Sequence, residues 1–362
     1  MKKAVIIGAG QTGRGFIAPI LEDNQYHLVF LDKDRGLIEQ LKLEKEYKVS
    51  YFGGKKKSRM ITNFDAFWME EEMAEKEIAE ADVIFVSVCA SCVHEVVPCV
   101  DRAVRKRKKG KVTLFCCENG VNVKRPFIEA GTDAVISEGV IFCTTVKPDQ
   151  DKLDLISQDY PELPVDGKVE GLSLKLQGVP WEMDFASLLQ RKIYTYNFMS
   201  AVVAYLGSYK GYTGYGDAAN DEEIAGVIER LTPVISAVIA KKYEIDIQEQ
   251  LDFTNRAAEK FKNKEIKDTI ERNARQAKRK LDTKERLLTP LFLADRYKED
   301  TRYIGLVVAA ALYYLSDEEP GAMEEAWENI KKQTDEKPIA ALYQMFREKK
   351  SLDWILKRID RT

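Results

Sequence analysis

At 362 residues the chain is too long for one ordinary domain, and its 45% hydrophobic content can fill two substantial cores. A formal net charge of -3, with basic clusters only local, gives no overall field to draw in nucleic acid or an anionic membrane. The apolar stretch Ile304 to Leu315 has buried-helix length and cannot cross a bilayer, so no membrane partner and a cytoplasmic location are expected.

The opening MKKAVIIGAG has too short an apolar run for a signal peptide; it ends in glycines and then Arg14, with no small-residue cleavage site. It reads instead as a first strand, Lys3 to Gly8, followed by Gly8-Ala9-Gly10-Gln11-Thr12-Gly13 and a helical pattern from Phe16 to Leu21. In this G-x-G-x-x-G, Gly8 serves a tight turn, Gly10 the close approach of a pyrophosphate, and Gly13 close packing of helix on strand. The loop around Gln11 and Thr12 would face the phosphates at the helix N-terminus. The second apolar run, His27 to Leu31, ends in Asp32, at about the twenty-residue spacing where an acid bonds the adenosine ribose hydroxyls. This favours NAD over NADP, although Lys33 and Arg35 leave 2′-phosphate binding open. The plainer alternative is a glycine turn in an unrelated α/β protein with a chance acid.

Next, the spacing predicts a helix over Gly36 to Leu43, then a hairpin of Tyr47 to Phe52 with Arg59 to Ile61 around Gly53-Gly54. A charged helix over Met69 to Glu80 and a buried parallel strand over Ala81 to Val88 follow. All six cysteines fall before residue 150 and read as reduced packing residues. Cys89 and Cys92 form one C-x-x-C, but with no second pair and only His27 and His94 in the chain no metal site is expected. A redox pair is the alternative. The basic run Arg105 to Lys109 reads as a helix C-terminus before Gly110. The strand Val112 to Cys116 then brings Glu118-Asn119-Gly120 to the cofactor edge of the sheet, where Asn119 is either a cofactor contact or a plain turn residue. Strand-like segments at 134–146 and 153–179, among them Leu153 to Ile156 and Leu172 to Leu176, extend the sheet.

From about Asp184 the pattern becomes helical, with helix starts near Asp221 and Asp282 and a polar break at Asp317 to Gly321. Phe185 to Gly207 reads as one long helix with Gly207 as its stop. Lys192, Asn197 and Ser200 fall within an arc of roughly 140° on it. Side chains there could line one wall of a cleft, although an isolated Lys is ordinarily solvated and an isolated Asn ordinarily bonds nearby backbone. The expected fold is α/β plus all-α: a Rossmann-like dinucleotide-binding domain with sheet extension over residues 1–183, and a helical substrate domain over residues 184–362.

The segments GAGQTGRGFIAPIL (Gly8 to Leu21), CEN (Cys117 to Asn119), RKIYTYN with AYLG (Arg191 to Asn197, Ala204 to Gly207) and ERNARQAKRKL with ERLLTPL (Glu271 to Leu281, Glu285 to Leu291) are more specific than the glycine loop alone. On these the chain resembles the polyol-specific long-chain dehydrogenases, most closely the short mannitol-1-phosphate 5-dehydrogenases, over nearly its whole length. The resemblance implies a catalytic Lys-x4-Asn-x2-His. Lys192 and Asn197 are in register, and Ser200 stands where the family has histidine. By the same resemblance Lys192 is the general base, Asn197 stabilises the developing oxyanion, and position 200 helps bind the reacting oxygen. A lysine desolvated near a cationic nicotinamide has the lowered pKa such a base needs. The segment Ile141 to Pro148 departs from the family pattern, and Ala277 and Lys264 replace usual prolines. Arg272, Arg275, Arg279 and Lys280 fall in the matched region. Arg275 and Arg279, four apart on an expected helix face, could hold a sugar phosphate or form a solvated basic face.

The expected function is therefore NAD-dependent interconversion of a sugar alcohol, mannitol 1-phosphate or a related polyol phosphate, with its keto form, fructose 6-phosphate. The phosphate branch fits the length, because family members acting on free polyols tend to be longer. The rival expectation, motivated by Ser200 and the altered 141–148 segment, is an NAD-binding sensor that has lost efficient turnover.

Overall fold

The computed structural model describes residues 2–118, 120–148, 152–160 and 162–361. The chain separates into two units, Met1–Leu189 and Gln190–Thr362, each with its own core.

The first unit is built on an eight-stranded sheet. Its strands are β1 (Lys2–Ile7), β2 (Tyr26–Asp32), β5 (Phe64–Trp68), β6 (Val83–Val86), β7 (Thr113–Cys117), β8 (Val135–Gly139), β11 (Val165–Asp166) and β12 (Trp181–Glu182), in the order β12-β11-β8-β7-β6-β1-β2-β5. The six strands from β8 to β5 in that order are mutually parallel, and β11 turns antiparallel to β8. Alternate residues go to opposite faces. Ala4, Ile6, Leu28, Phe30 and Phe85 enter one core, while Val5, Ile7, Val29, Leu31 and Ile84 enter the other. Burial on both faces explains why these strands read as unbroken apolar runs. Because β1 pairs with β2 on one side and β6 on the other, its C-terminal end is the switch point where such sheets bind ligands.

The expected hairpin is present as β3 (Tyr47–Tyr51) against β4 (Arg59–Ile61). It belongs to a second, four-stranded sheet, β4-β3-β10-β9, completed by β9 (Thr145–Val146) and β10 (Leu155–Ser157). Strand β5 lies in a stretch for which the pattern gave no element, and the charged helix that follows it begins only at Glu72. Leu172 to Leu176 keeps its alternation of half-buried leucines and exposed polar residues, but it has only an isolated bridge from Leu176 to Val179 and forms no strand. The basic run 105–109 follows the helix Val93–Arg105 as expected. Its charges are locally engaged: Arg105 pairs with Asp101, Lys106 with Glu75 and Lys109 with Asp82, while Arg107 donates to the carbonyls of Ala79, Ala81 and Gly110.

In the second unit Asp221 caps the helix Glu222–Tyr243, its carboxylate accepting from Glu223 N and Ile224 N. The helix Arg302–Glu318 is buried from Tyr303 through Leu312, as its apolar stretch requires. Among the described residues no helix is long and apolar enough to cross a membrane. Asp282 starts no helix. Its carboxylate accepts from Lys284 N in a local turn, and the next helix begins at Leu288. The helical run from Phe185 continues past Gly207 to Tyr209, and Gly211, with φ +80°, follows it.

Gly207 is thus a close-packing residue, not a stop. A β-carbon there would lie 2.7 Å from Ile270 Cδ1 and 2.8 Å from Ala218 Cβ. Gly207→Ala should gain about 1 kcal/mol in helix propensity and lose about 1–3 kcal/mol to overpacking. A net fall in stability in urea unfolding is expected.

Candidate active site

The three loop glycines separate as the sequence requires. Gly8 has φ +101°, and a β-carbon on it would meet Ser87 O at 2.0 Å. A β-carbon on Gly13 would meet Gly8 O at 2.1 Å, whereas one on Gly10 would meet nothing within 4 Å. The helix after the loop, residues 11–23, opens with Gln11 exposed and Thr12 half-buried, and it contains a π turn at Gly13–Ile17. Open space at Gly10 beside this N-terminus fits a dinucleotide pyrophosphate. Arg14, 2% exposed, braces the loop from below. Its Nε donates to Ala9 O at 2.7 Å, its Nη1 donates to Leu153 O, and its guanidinium lies 5.2 Å from the Tyr47 ring centroid. Burial lowers its pKa.

Asp32 ends β2. One carboxylate oxygen accepts from Ala9 N at 2.7 Å and the other from Asp34 N at 3.0 Å, which orients the group and leaves lone pairs for ribose hydroxyls. Both cations that could have served a 2′-phosphate are engaged elsewhere. Lys33 pairs with Glu95 at 2.7 Å, and Arg35 stacks 3.6 Å from the Trp68 ring centroid. Asn119 lies outside the described residues.

Its neighbour Glu118 is buried, and its carboxylate accepts from the backbone of Cys89 at 3.0 Å and of Val88. Burial raises its pKa to about 7. It braces a strained turn, for Cys89 is held at φ +76°. None of the six cysteines forms a disulfide, and no metal-ligating cluster occurs among the described residues.

In the second unit the candidate residues lie on one helical run, but not on a uniform α-helix. A π turn, Ile193–Asn197, interrupts it between Phe185–Lys192 and Phe198–Tyr209. Closure of the wider turn between residues five apart brings Asn197 closer beneath Lys192 than α geometry would. Lys192 is 6% exposed; burial, reinforced by the positive charges of Lys260 and Arg286, lowers its pKa to about 7. Asn197 is half-buried and makes no side-chain hydrogen bond within the described chain. Ser200 is half-buried, and its hydroxyl accepts from Tyr215 at 3.0 Å.

The basic residues of the 272–286 segment divide. Arg275 and Arg279 do not share a helix face. The helix Ile270–Ala274 ends, Arg275 is extended, Gln276 sits at φ +62°, and a new turn of helix runs Ala277–Lys280. Both arginines are exposed, and Arg279 is tied to Glu285 and Gln276. Of the rest, Lys280 is buried and Arg286 half-buried. Lys280 donates to Asn273 O beside the Tyr205 ring, and burial together with Arg286 and Arg279 lowers its pKa to about 7. Arg286 contacts Glu285 at 3.2 Å and is itself lowered by burial. The helical run holds this segment through Tyr194 to Lys284 O and Tyr205 to Ala274 O. Lys280 was visible in the sequence only as one of several basic residues, and Glu118, Arg286 and Tyr215 carried no signal of their own, because burial sets them apart.

Residues 2–145 match the mannitol dehydrogenase Rossmann domain and residues 184–354 the mannitol dehydrogenase C-terminal domain. The mannitol-1-phosphate 5-dehydrogenase of Thermoanaerobacter pseudethanolicus is 28% identical over 342 residues, 89% of this chain and 88% of that protein. That of Clostridium acetobutylicum is 28% identical over 340 residues, 88% of each. In structure, a D-sorbitol dehydrogenase in substrate-free form is similar at TM-score 0.74 and 17% identity, covering 96% of this chain and 94% of the other. The mannitol 2-dehydrogenase of Pseudomonas fluorescens, in a ternary complex with NAD and D-mannitol, is similar at TM-score 0.70 and 14% identity, covering 100% and 94%. With both halves matched in order, and a glycine loop and a buried helical lysine in place, the chain belongs to the mannitol dehydrogenase family.

Proposed function

We propose that the chain is an NAD-dependent oxidoreductase that interconverts a polyol phosphate, mannitol 1-phosphate or a close relative, with its keto form, fructose 6-phosphate. The observation that carries this reading is Lys192. It is a lysine buried on the run that also bears Asn197, with its pKa lowered to about 7. NAD, when bound, supplies the hydride acceptor, and the first unit contributes the open Gly10 and the oriented Asp32 to hold it. Neutral Lys192 takes the hydroxyl proton as the carbonyl forms. The Asn197 amide stabilises the charge that develops on oxygen, and Ser200 donates to the same atom.

Lys280, Arg286 and Lys260 give the second unit a set of cations suited to a phosphate group, and the two bacterial relatives are named for a phosphorylated polyol. Arg275 and Arg279 are exposed candidates for the same role. A cytoplasmic setting is consistent with such a metabolite.

The direct test is NADH oxidation with fructose 6-phosphate, run beside fructose, other keto sugars and NADPH. Turnover with the phosphate alone supports the reading, whereas tight NADH binding without turnover on any keto sugar supports a sensor instead. Lys192→Met should abolish turnover and leave the NADH dissociation constant unchanged; native-like turnover would remove Lys192 from the mechanism. The pH dependence has a definite sign. Oxidation needs the neutral amine, so its rate rises with pH and levels off above about 7. Reduction needs the ammonium and slows as pH climbs through the same value; rate profiles in both directions check this. Gly10→Val should leave urea stability within about 0.5 kcal/mol, since nothing lies near its side chain, and weaken NADH binding at least about tenfold in a fluorescence titration.

A further inference from the structure

Tyr215 is the first residue of the short helix Tyr215–Ala219, fifteen positions beyond Ser200, and is 5% exposed. Its place is fixed from several sides. Its backbone N donates to Asp268 O at 3.0 Å, Gly214 bridges Thr269, and its ring meets Phe261 edge-on at 5.7 Å. The hydroxyl points at Ser200, 3.0 Å from Oγ and 3.3 Å from the carbonyl oxygen. Burial raises its pKa, so the phenol keeps its proton.

A serine inside a helix ordinarily turns its hydroxyl back to the carbonyl four residues earlier. Here the phenol supplies the only hydrogen bond to Ser200 Oγ among the described residues, and Oγ is the acceptor. The serine's own proton therefore remains to be donated. Ser200 is half-buried, and three residues from Asn197 it shares that residue's side of the run. A hydroxyl that accepts one hydrogen bond also donates more strongly in the next.

We propose that Tyr215 is a positioning residue that holds Ser200 as a hydrogen-bond donor to the reacting oxygen, the pair serving where the family places a histidine. This rests on the role assigned to Ser200 under the proposed function. Tyr215 does not touch substrate; its single proton goes to Ser200 Oγ, and the Ser200 proton goes to the carbonyl or alkoxide oxygen, so neither residue changes its net protonation.

The test is a double-mutant cycle of native protein, Tyr215→Phe, Ser200→Ala and the pair. It measures kcat and KM for fructose 6-phosphate at saturating NADH, with the NADH dissociation constant and thermal midpoint as checks on folding. Phenylalanine keeps the ring against Phe261. We expect each single change to lower kcat about tenfold with the NADH constant unchanged, and the double change to lower it no further than Ser200→Ala alone. Independent, multiplying losses would make Tyr215 merely structural, and native kcat in Tyr215→Phe beside a loss in Ser200→Ala would overturn this inference alone. Native kcat in Ser200→Ala would remove the role of Ser200, and the inference with it. Absence of turnover in the native chain on every keto sugar would overturn both the inference and the function on which it rests.

Discussion

The ammonium of Lys192 is the group around which the second unit has to be arranged. Transfer of a lysine side chain from water to a site where it is 6% exposed penalises the charged form, and the positive neighbours Lys260 and Arg286 add to that penalty. The site therefore favours the neutral amine near physiological pH. Such a group needs a rigid mounting, and the run that bears it is buried on most sides by the helices Glu222–Tyr243 and Arg302–Glu318 and by the segment held through Tyr194 and Tyr205. Lys280, within that segment, is lowered in the same way by burial and by Arg286 and Arg279. Two lysines lowered together, both under the charge of the half-buried Arg286, form an environment that an anion would relieve.

The first unit solves a different problem, how to expose backbone N–H groups on a loop that is otherwise immobile. The sheet is buried on both faces, and its switch point delivers the glycine loop to one edge. Two of the three glycines are there because backbone oxygens leave no room for a side chain, and only Gly10 faces open space. Arg14 then ties the loop carbonyl of Ala9 to Leu153, just before the second sheet. The small sheet so contributes to the stiffness of a loop to which it donates no residue.

Much of this was legible in the sequence. Strands buried on both faces leave long apolar runs, and the glycine roles follow from steric rules that depend little on context. The parts that were not legible share a cause. Phe64–Trp68 pairs with β2 at the sheet edge, and that partner lies far along the chain. Gly207 looked like a helix stop because the demand for a small residue comes from Ile270 and Ala218. The helix expected to carry both Arg275 and Arg279 ends at Ala274, ahead of Gln276, whose left-handed conformation its residue type does not announce. At the candidate site, Lys192, Asn197 and Ser200 could be placed on one helical run, but the Tyr215 hydroxyl reaches Ser200 only through the tertiary path of the chain.

The π turn at Ile193–Asn197 also bears on how this protein can change over time. Substitutions along the run alter single contacts, but a wide turn holds one residue more than an α turn, so deleting one residue would return it to α geometry and leave the helix beyond it near its present place. Ser200 would stay beside Tyr215, and the fully buried Phe198, Val202 and Leu206 would keep their places in the core. The extra residue thus sets the path between Lys192 and Asn197 and not the core packing downstream. The turn's own residues are tied as well, for Tyr194, Thr195 and Tyr196 are buried, Tyr194 donates to Lys284 O and Thr195 accepts from Gln250.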